Sequence, residues 1–308
     1  MTIVITMCKL LLTLAIGFYL YKKEIFNQAV NGALSSFIVK IAVPCLIINS
    51  VASVPHDDKS VVIKLLVVGI LSYVLFIAIG YLLTTVMCVS KFLKGTYIRM
   101  IVFGNAAFIG YPVVQALYGD AAIFYVTIFH MPFNLLIFTL APYCFRKDAS
   151  FEGNTQTAKK ASLRDILSNG LIASILALII YFGNITLPDG FYSVVSFVGN
   201  ITTPLSMICI GSSLAAISLN QIKSEKWIWM MTPIRLIVIP FVTWCFLHLF
   251  LSDPVLIAIC TISSGMSVAA LVPMLSGEYK RQNQSATIGI AVSTIFSMIS
   301  IPITAVLL

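Results

Sequence analysis

The stretch GNAAFIGYPVVQALYG, residues 104–119, places glycines, a proline and an asparagine inside a segment that is otherwise apolar enough to lie in a membrane. Proline removes a backbone donor and clashes with the preceding turn, so a helix over this stretch has to break. At membrane depth a broken helix is tolerated only where its freed backbone groups face protein or a water-filled cavity. The stretch therefore predicts a binding site inside a bilayer, because interrupted segments of this kind indicate the substrate site of secondary transporters.

Hydropathy places the whole chain in the membrane. Of its residues, 59% are hydrophobic and 10% are charged, and the mean hydropathy is +1.02, which excludes a soluble globular domain. A spanning helix needs about 20 mostly apolar residues. We therefore expect an all-α polytopic membrane protein with ten transmembrane helices, at roughly residues 3–20, 33–52, 61–88, 98–118, 121–145, 164–182, 192–217, 226–250, 255–276 and 285–307.

The basic residues predict the orientation, since loops rich in Lys and Arg stay in the cytoplasm. With the N-terminus outside, the inner loops collect nearly all loop Lys and Arg residues, and the outer loops hold only Lys59. An even number of helices then puts both termini outside the plasma membrane and residues 146–163 in a cytoplasmic loop. This topology accounts for the net charge of +8, so the expected partner is the lipid bilayer and not nucleic acid.

The two halves of the chain resemble each other at an offset of 160 residues. Because each half contains five predicted helices, an odd number, the second half enters the membrane in the opposite orientation. We therefore predict two inverted five-helix repeats, residues 1–145 and 164–308, joined by the linker 146–163, which is a transporter architecture. The matched residues are Ser36 with Ser196, Phe37 with Phe197, Ile41 with Ile201, and Pro44 with Pro204.

Catalytic and metal-binding patterns are missing from the sequence. The seven cysteines are scattered through apolar segments, and none of the three histidines is at ligand spacing with another His, Cys or acidic residue. Free cysteines in such positions behave as small buried hydrophobic residues. No acid, nucleophile or metal constellation has an interpretable spacing, so we expect neither an enzyme nor a metal site nor a cofactor.

Three motifs carry a resemblance to a known family: GNAAFIGYPVVQALYG, SFVGNITTPLSMICIGSSLA at residues 196–215, and GMSVAALVPMLSGEY at 265–279, followed by STIFSMISIPI. Together they resemble the auxin efflux carrier family, whose bacterial members include proteins described as malate and malonate permeases. The resemblance runs nearly end to end. Because that family is similar in fold to bile-acid sodium symporters, it implies that helices four and nine are broken and cross. It also implies that a small organic anion binds at the crossing and moves by elevator-type alternating access.

The residues of helix four agree with this implication. Pro112 frees carbonyls upstream of it, and N-terminal helix ends attract carboxylates whereas C-terminal ends attract cations. Asn105 adds an amide that can donate or accept. Gly104 and Gly110 leave room for another helix to pass.

Helix nine departs from the family pattern, which usually has a proline directly after the methionine of its central motif. Here Met266 is followed by Ser267, so two alignments with helix four stay open. One places the break at Ser267 and the other at Pro273. Ser264 and Ser267 belong to a small polar run at the right depth to line a site.

Helices two and seven are expected beside the crossing, each with a proline, Pro44 and Pro204. Lys40 and Arg235 lie inside predicted helices, whereas no Asp or Glu lies in the middle of one. Buried cations without buried anions favour an anionic ligand. The intramembrane polar groups that complete the candidate site are Asn49, Asn134, Asn200, Thr202, Thr203 and His130.

We therefore expect a secondary transporter for a small carboxylate such as malate, malonate or an auxin-like acid. The coupling ion stays open between sodium and protons, and a homodimer through the exposed face of helices one and two is compatible with the sequence. The predicted substrate-binding residues are Asn105, Gly110, Pro112, Asn49, Thr202, Thr203, Ser264 and Ser267, with Lys40 and Arg235 as electrostatic support and Asn134, Asn200 and His130 as further support.

Two alternatives stay open. A bile-acid-type sodium symporter would be expected to carry acidic sodium ligands inside the helix bundle, and the sequence offers none there. A ligand sensor without transport would need an output region, which we do not find in the chain.

Overall fold

The computed structural model describes residues 2–55, 59–151, 168–216, 225–270, 272 and 280–308. Within these ranges the regular structure is helical, with one isolated backbone pairing between Gly104 and Val268. The helices are α1 (Thr2–Lys22), α2 (Gln28–Val51), α3 (Lys59–Val86), α4 (Lys94–Val102), α5 (Ala106–Tyr118), α6 (Asp120–Phe129), α7 (Met131–Phe151), α8 (Asn169–Phe182), α9 (Asp189–Ala215), α10 (Lys226–Leu247), α11 (Pro254–Ser264) and α12 (Lys280–Leu307). The all-α prediction is confirmed for this part of the chain.

Several helices have the length and apolar composition of membrane spans. Among the described residues five qualify: α2, α3, α9, α10 and the stretch Gln284–Leu307 of α12. A sixth is obtained when α6 and the start of α7, which meet at a bend of 46°, are counted as one span. Helices α5, α8 and α11 are apolar but shorter. These helices describe a polytopic membrane protein, whereas the ten-helix count and the inverted repeat stay predictions.

Prolines determine where the long helices deviate from α geometry. Helices α2, α5 and α10 each contain a π-helical segment that ends shortly before a proline. Proline lacks an N–H and its ring clashes with the carbonyl four residues earlier, and an extra residue in the turn relieves that clash. The three segments are Ile38–Ala42 before Pro44, Ala106–Gly110 before Pro112, and Ile234–Val238 before Pro240.

The helices pack as two groups. In the first group α1 packs on α9, and α2 packs on both α8 and α9; the second group contains α3 to α7 and α10 to α12. Glycines allow α1 and α9 to approach closely: a Cβ on Gly17 would overlap the carbonyl of Ile208, and a Cβ on Gly211 would overlap the carbonyl of Leu14. The two groups meet at several places: α2 packs on α6, α9 on α5, α1 on α5 and α12, and α8 on α6 and α7.

The two predicted interruptions fall at the boundary between helices. The segment predicted as helix four, 98–118, is divided into α4 and α5 by residues 103–105. In the segment predicted as helix nine, α11 ends at Ser264 and residues 265–270 are not helical. The interruption of helix nine therefore includes Ser267 and begins well before Pro273, which lies outside the described residues.

Candidate functional site

The two interrupted helices meet through their backbones. Asn105 N–H donates to the Ser267 carbonyl over 2.7 Å, and Ala269 N–H donates to the Phe103 carbonyl over 2.9 Å. These bonds flank the antiparallel pairing of Gly104 with Val268. In a bilayer every backbone polar group needs a partner, so the two unwound stretches satisfy each other. The two interruptions thus contact each other, and we call the place where residues 103–105 pair with residues 267–269 the crossing.

Asn105 begins helix α5 at this crossing. Its side-chain Oδ1 accepts from the N–H of Phe108 at 3.4 Å, while its main-chain carbonyl accepts from Ile109 and Gly110. Asparagine is among the preferred residues at a helix N-terminus because its side chain takes up one of the free N–H groups there. The side chain is 5% exposed. Asn105 is therefore the N-cap residue at the positive end of the α5 helix dipole.

Arg235 binds the other ends of the interrupted helices. Its Nη1 donates to the Ile101 carbonyl at 2.9 Å, at the end of α4, and its Nη2 and Nε donate to the Ser264 and Met266 carbonyls at 2.7 and 2.9 Å, at the end of α11. The side chain is 1% exposed. A Cβ on Gly104 would overlap the Arg235 Nη2 atom, so the glycine is needed for the guanidinium to reach all three carbonyls.

A cavity of about 110 Å³ adjoins the crossing. Its polar lining side chains are those of Asn105, Tyr111, His130, Asn134 and Ser168, and none of the described lining residues is Asp, Glu, Lys or Arg. The remaining lining is apolar or glycine: Val39, Val43, Ile47, Gly104, Ala106, Ala107, Phe108, Phe133, Gly170, Ala269 and Ala270. Such a mostly apolar pocket with a few convergent polar groups is typical of a small-molecule site.

Two helices begin at this cavity. Asn105 caps α5, and Ser168 caps α8 by accepting from the Leu171 N–H at 3.3 Å. The N-terminal end of a helix carries a partial positive charge and free N–H groups, so it attracts anions. The cavity therefore lies between two positive helix ends.

His130 lies at the bend between α6 and α7 and lines the same cavity. Its Nδ1 is 2.8 Å from the Tyr73 hydroxyl and its Nε2 is 2.9 Å from Ser263 Oγ. Ser263 Oγ donates to the Cys260 carbonyl, so it accepts from Nε2–H, and Nδ1 then accepts from the Tyr73 hydroxyl. This chain of bonds satisfies a neutral imidazole, and it joins α3, the bend between α6 and α7, and α11 around the crossing.

A second polar cluster lies at the far end of α5 and contains Asp120, which lies between the predicted helices 98–118 and 121–145. Asp120 accepts from Gln115 Nε2 at 2.8 Å and from Asn49 Nδ2 at 3.4 Å. Gln115 also accepts from Thr203 Oγ1 at 2.7 Å and donates to Asn200 Oδ1 at 3.3 Å. We call these five residues the Asp120 network. At 1.5 Å of rise per residue, Gln115 is about 15 Å from Asn105 along the helix.

The predicted site residues are thus distributed over separate places. Asn105, Asn134 and His130 lie at the cavity, with Gly104, whereas Asn49, Asn200 and Thr203 belong to the Asp120 network. Gly110 and Pro112 lie buried on α5, beyond the cavity lining.

The serines and Thr202 are buried away from the cavity lining. Ser264 Oγ donates to the Thr261 carbonyl, and Ser267 Oγ accepts from Thr294 Oγ1. Thr202 Oγ1 is buried without a hydrogen-bond partner among the described residues. These hydroxyls therefore support the packing of helices α9, α11 and α12 in this conformation.

Lys40 and the helix prolines are structural in this conformation. The Lys40 side chain is exposed, and its carbonyl, which Pro44 leaves without its usual helical donor, accepts from Asn169 Nδ2 at 2.8 Å. Pro204 follows the irregular turn at Asn200 and Ile201 in α9. Neither proline lines the cavity.

Sequence reasoning missed Ser168 and Asp120. Ser168 is the N-cap residue of α8, and a serine before an apolar helical run is a recognisable N-cap signal. Asp120 has no comparable signal, because its partner Asn49 on α2 is distant in the chain and the contacts with α9 are made through Gln115. The carbonyl partners of Arg235 are equally distant.

The model of the membrane transport protein family matches residues 2–305. The chain therefore belongs to this family, which is the auxin efflux carrier family that the sequence motifs resemble. No curated protein matches the chain in a sequence search, so the assignment rests on the family match together with the apolar helices. The protein is a multi-pass membrane transporter.

Proposed function

We propose that this transporter carries a small organic anion, a carboxylate such as malate, malonate or an auxin-like acid, and binds it in the cavity beside the helix crossing. The observation that carries this proposal is that two helix N-termini, those of α5 and α8, begin at one cavity whose described lining contains no carboxylate. Each helix end contributes roughly 0.3–1 kcal/mol to the binding of an anion, and up to about 2 kcal/mol where it is partly buried.

The polar side chains of the cavity supply orientation. The Asn105 and Asn134 amides can donate to carboxylate oxygens, and the apolar lining accommodates the carbon skeleton of the acid. The volume of about 110 Å³ is well below the roughly 300–1,000 Å³ of pockets for drug-sized ligands. A small acid is therefore favoured over a steroid-sized bile acid.

The positions of the cavity and the Asp120 network support alternating access. Ser168 and Gly170, which lie a few residues after the linker 146–163, line the cavity, so with the linker in the cytoplasm the cavity lies on the cytoplasmic side of the crossing. The Asp120 network lies toward the opposite side and joins α2 and α9 of one helix group to α5 and α6 of the other. In our proposal the second group moves past the first across the plasma membrane, and this network breaks when the cavity opens outward.

Ligand-dependent stabilisation tests the proposed substrate class. A ligand that binds the native state raises its melting temperature by mass action. We expect malate, malonate or an aromatic carboxylate to raise the melting temperature of the purified protein in detergent, while the corresponding neutral amides do not. Stabilisation by the amides as strong as that by the acids would exclude the anion site.

A matched pair of variants locates the binding. Asn105→Ala is expected to abolish the stabilisation by the acid, whereas Gln284→Ala, which removes an exposed amide at the start of α12, leaves it unchanged. Equal stabilisation of both variants would place the ligand elsewhere.

A further inference from the structure

The positive charge of Arg235 lies where α4 and α11 both end, at the negative C-terminal ends of the two helices. The guanidinium donates through Nε, Nη1 and Nη2 to three carbonyls, those of Met266, Ile101 and Ser264, at 2.7–2.9 Å. Ile101 belongs to the last turn of α4, while Ser264 and Met266 belong to the end of α11 and the unwound stretch after it. One side chain therefore binds both halves of the crossing.

Carbonyls in this position are the usual ligands of a coupling ion. In transporters with discontinuous helices, unwound carbonyls and the C-terminal ends of half-helices coordinate sodium ions or protons. A guanidinium meets the same requirement, because it is permanently charged and presents its donors in a rigid planar fork. At 1% exposure, Arg235 is shielded from water, so these carbonyls are its principal compensation for desolvation.

Side chains from other helices place a negative charge at the N-terminus of the short helix α4 and a positive charge at its C-terminus. At its N-terminus, the Asp148 carboxylate of α7 accepts from the N–H groups of Gly95 and Thr96 at 2.8 and 2.9 Å. At its C-terminus, Arg235 of α10 donates to Ile101. Both interactions oppose the helix dipole, so α4 is held in place by charges that the protein itself supplies.

We propose that Arg235 is a tethered cation of the carrier: it occupies the carbonyl site that a coupling sodium ion would take, so substrate binding and transport proceed without sodium. Arg235 is a positioning residue, since it fixes the crossing that Asn105 and the cavity depend on and does not line the cavity itself. The substrate part of this inference rests on the proposed function, whereas the sodium part does not.

The first experiment uses the wild-type protein purified in detergent, without substrate. We expect the same melting temperature in sodium chloride and in choline chloride at equal ionic strength, and no saturable binding of radioactive sodium. A saturable rise of the melting temperature with sodium would overturn the proposal. Because no carboxylate is present, this result is independent of whether the proposed substrate class is correct.

The second experiment removes the tethered cation. Arg235→Ala leaves three buried carbonyls without a donor, and we expect a melting temperature roughly 5–10 °C lower. Sodium, or guanidinium at a non-denaturing concentration, is expected to recover part of this loss relative to choline. A variant that responds identically to sodium, guanidinium and choline would show that the site does not select a cation, and the proposal would fail.

Two further variants keep the test decisive when Arg235→Ala fails to fold. Arg235→Lys retains a cation, so we expect a lower melting temperature that is still independent of sodium. Lys40→Ala, at a basic residue of the spanning helix α2 whose side chain is exposed, is expected to leave the response to sodium unchanged. If sodium stabilised Arg235→Lys, the lysine would not be filling the carbonyl site, and the proposal that the side chain of residue 235 supplies the cation would be contradicted.

A transport measurement with substrate distinguishes the tethered-cation inference from the proposed carboxylate transport. In proteoliposomes, malonate uptake by the wild type is expected at equal rates in sodium and in choline media. Equal uptake supports both proposals, and uptake that requires sodium refutes the tethered cation while preserving the carboxylate carrier.

Discussion

Asn105 offers a substitution that separates the role of its side chain in capping α5 from its role in binding an anion. Asp and Ser are both good helix N-cap residues, comparable with Asn, so either can accept from the Phe108 N–H in place of Asn105 Oδ1. Asn105→Asp adds a negative charge at the cavity, whereas Asn105→Ser adds none. The two variants should therefore fold equally well and bind an anion very differently.

The magnitude follows from Coulomb's law. Two unit charges about 5 Å apart at an effective dielectric constant of about 20 repel by about 3 kcal/mol, which weakens binding more than about a hundredfold. The aspartate also occupies the positive end of α5, which is then no longer free to attract the substrate. For Asn105→Ser we expect only the loss of one amide donor, about 1 kcal/mol or roughly fivefold.

The assay is the dissociation constant of malonate, measured by titration calorimetry on protein in detergent, with melting temperatures of the unliganded variants as the control for folding. Unchanged malonate affinity in Asn105→Asp would refute the placement of the anion at the α5 N-terminus. A melting temperature that falls for Asn105→Asp but not for Asn105→Ser would refute the capping argument.

Three other predictions concern neighbouring features. Gly104→Ala should lower the melting temperature by several degrees, because the new Cβ overlaps Arg235 Nη2. The control Gly190→Ala, whose Cβ meets no atom within 4 Å, should leave the melting temperature unchanged. Equal effects of the two substitutions would contradict the close approach of Arg235 to Gly104. Gly170→Ala should keep the fold, since its Cβ would lie 3.6 Å from the nearest side-chain atom, but narrow the cavity and weaken binding of larger acids more than of malonate in a competition assay. Asp120→Asn should weaken the contact between the two helix groups and change the rate of malonate uptake with little change in affinity; a change in affinity alone would argue against a role in the conformational change.

The interruption of helix four could be predicted from the sequence, because Pro112 and the glycines near it forbid a regular helix through an apolar segment. The structure places the break at residues 103–105, upstream of the proline, with the π-helical segment Ala106–Gly110 between them. The proline explains the π-helical segment, and the pairing of Gly104 with Val268 fixes where the chain unwinds.

The interruption of helix nine was less predictable. Residues 265–270 are unwound although no proline follows Met266 directly, because their backbone groups pair with residues 103–105 and their helix end binds Arg235. These bonds join residues far apart in the chain, and local propensity contains no information about them.

The candidate site could be predicted only in part. Asn105, Asn134 and His130 were recognised as polar residues in apolar segments, and the structure brings them to one cavity. Asn49 and Thr203 were recognised by the same rule but lie in the Asp120 network. The rule identifies polar residues inside the membrane, and it cannot tell which of them share a cavity, since that depends on how the helices pack.

The most direct test of the central claim is the uptake of radioactive malonate and malate into proteoliposomes that contain the purified protein and are preloaded with the same unlabelled acid. Exchange across the membrane requires both binding at the crossing and alternating access. We predict saturable exchange by the wild type that is lost in Asn105→Asp and retained in Asn105→Ser. Exchange by Asn105→Asp at the wild-type rate would contradict an anion site at the start of α5.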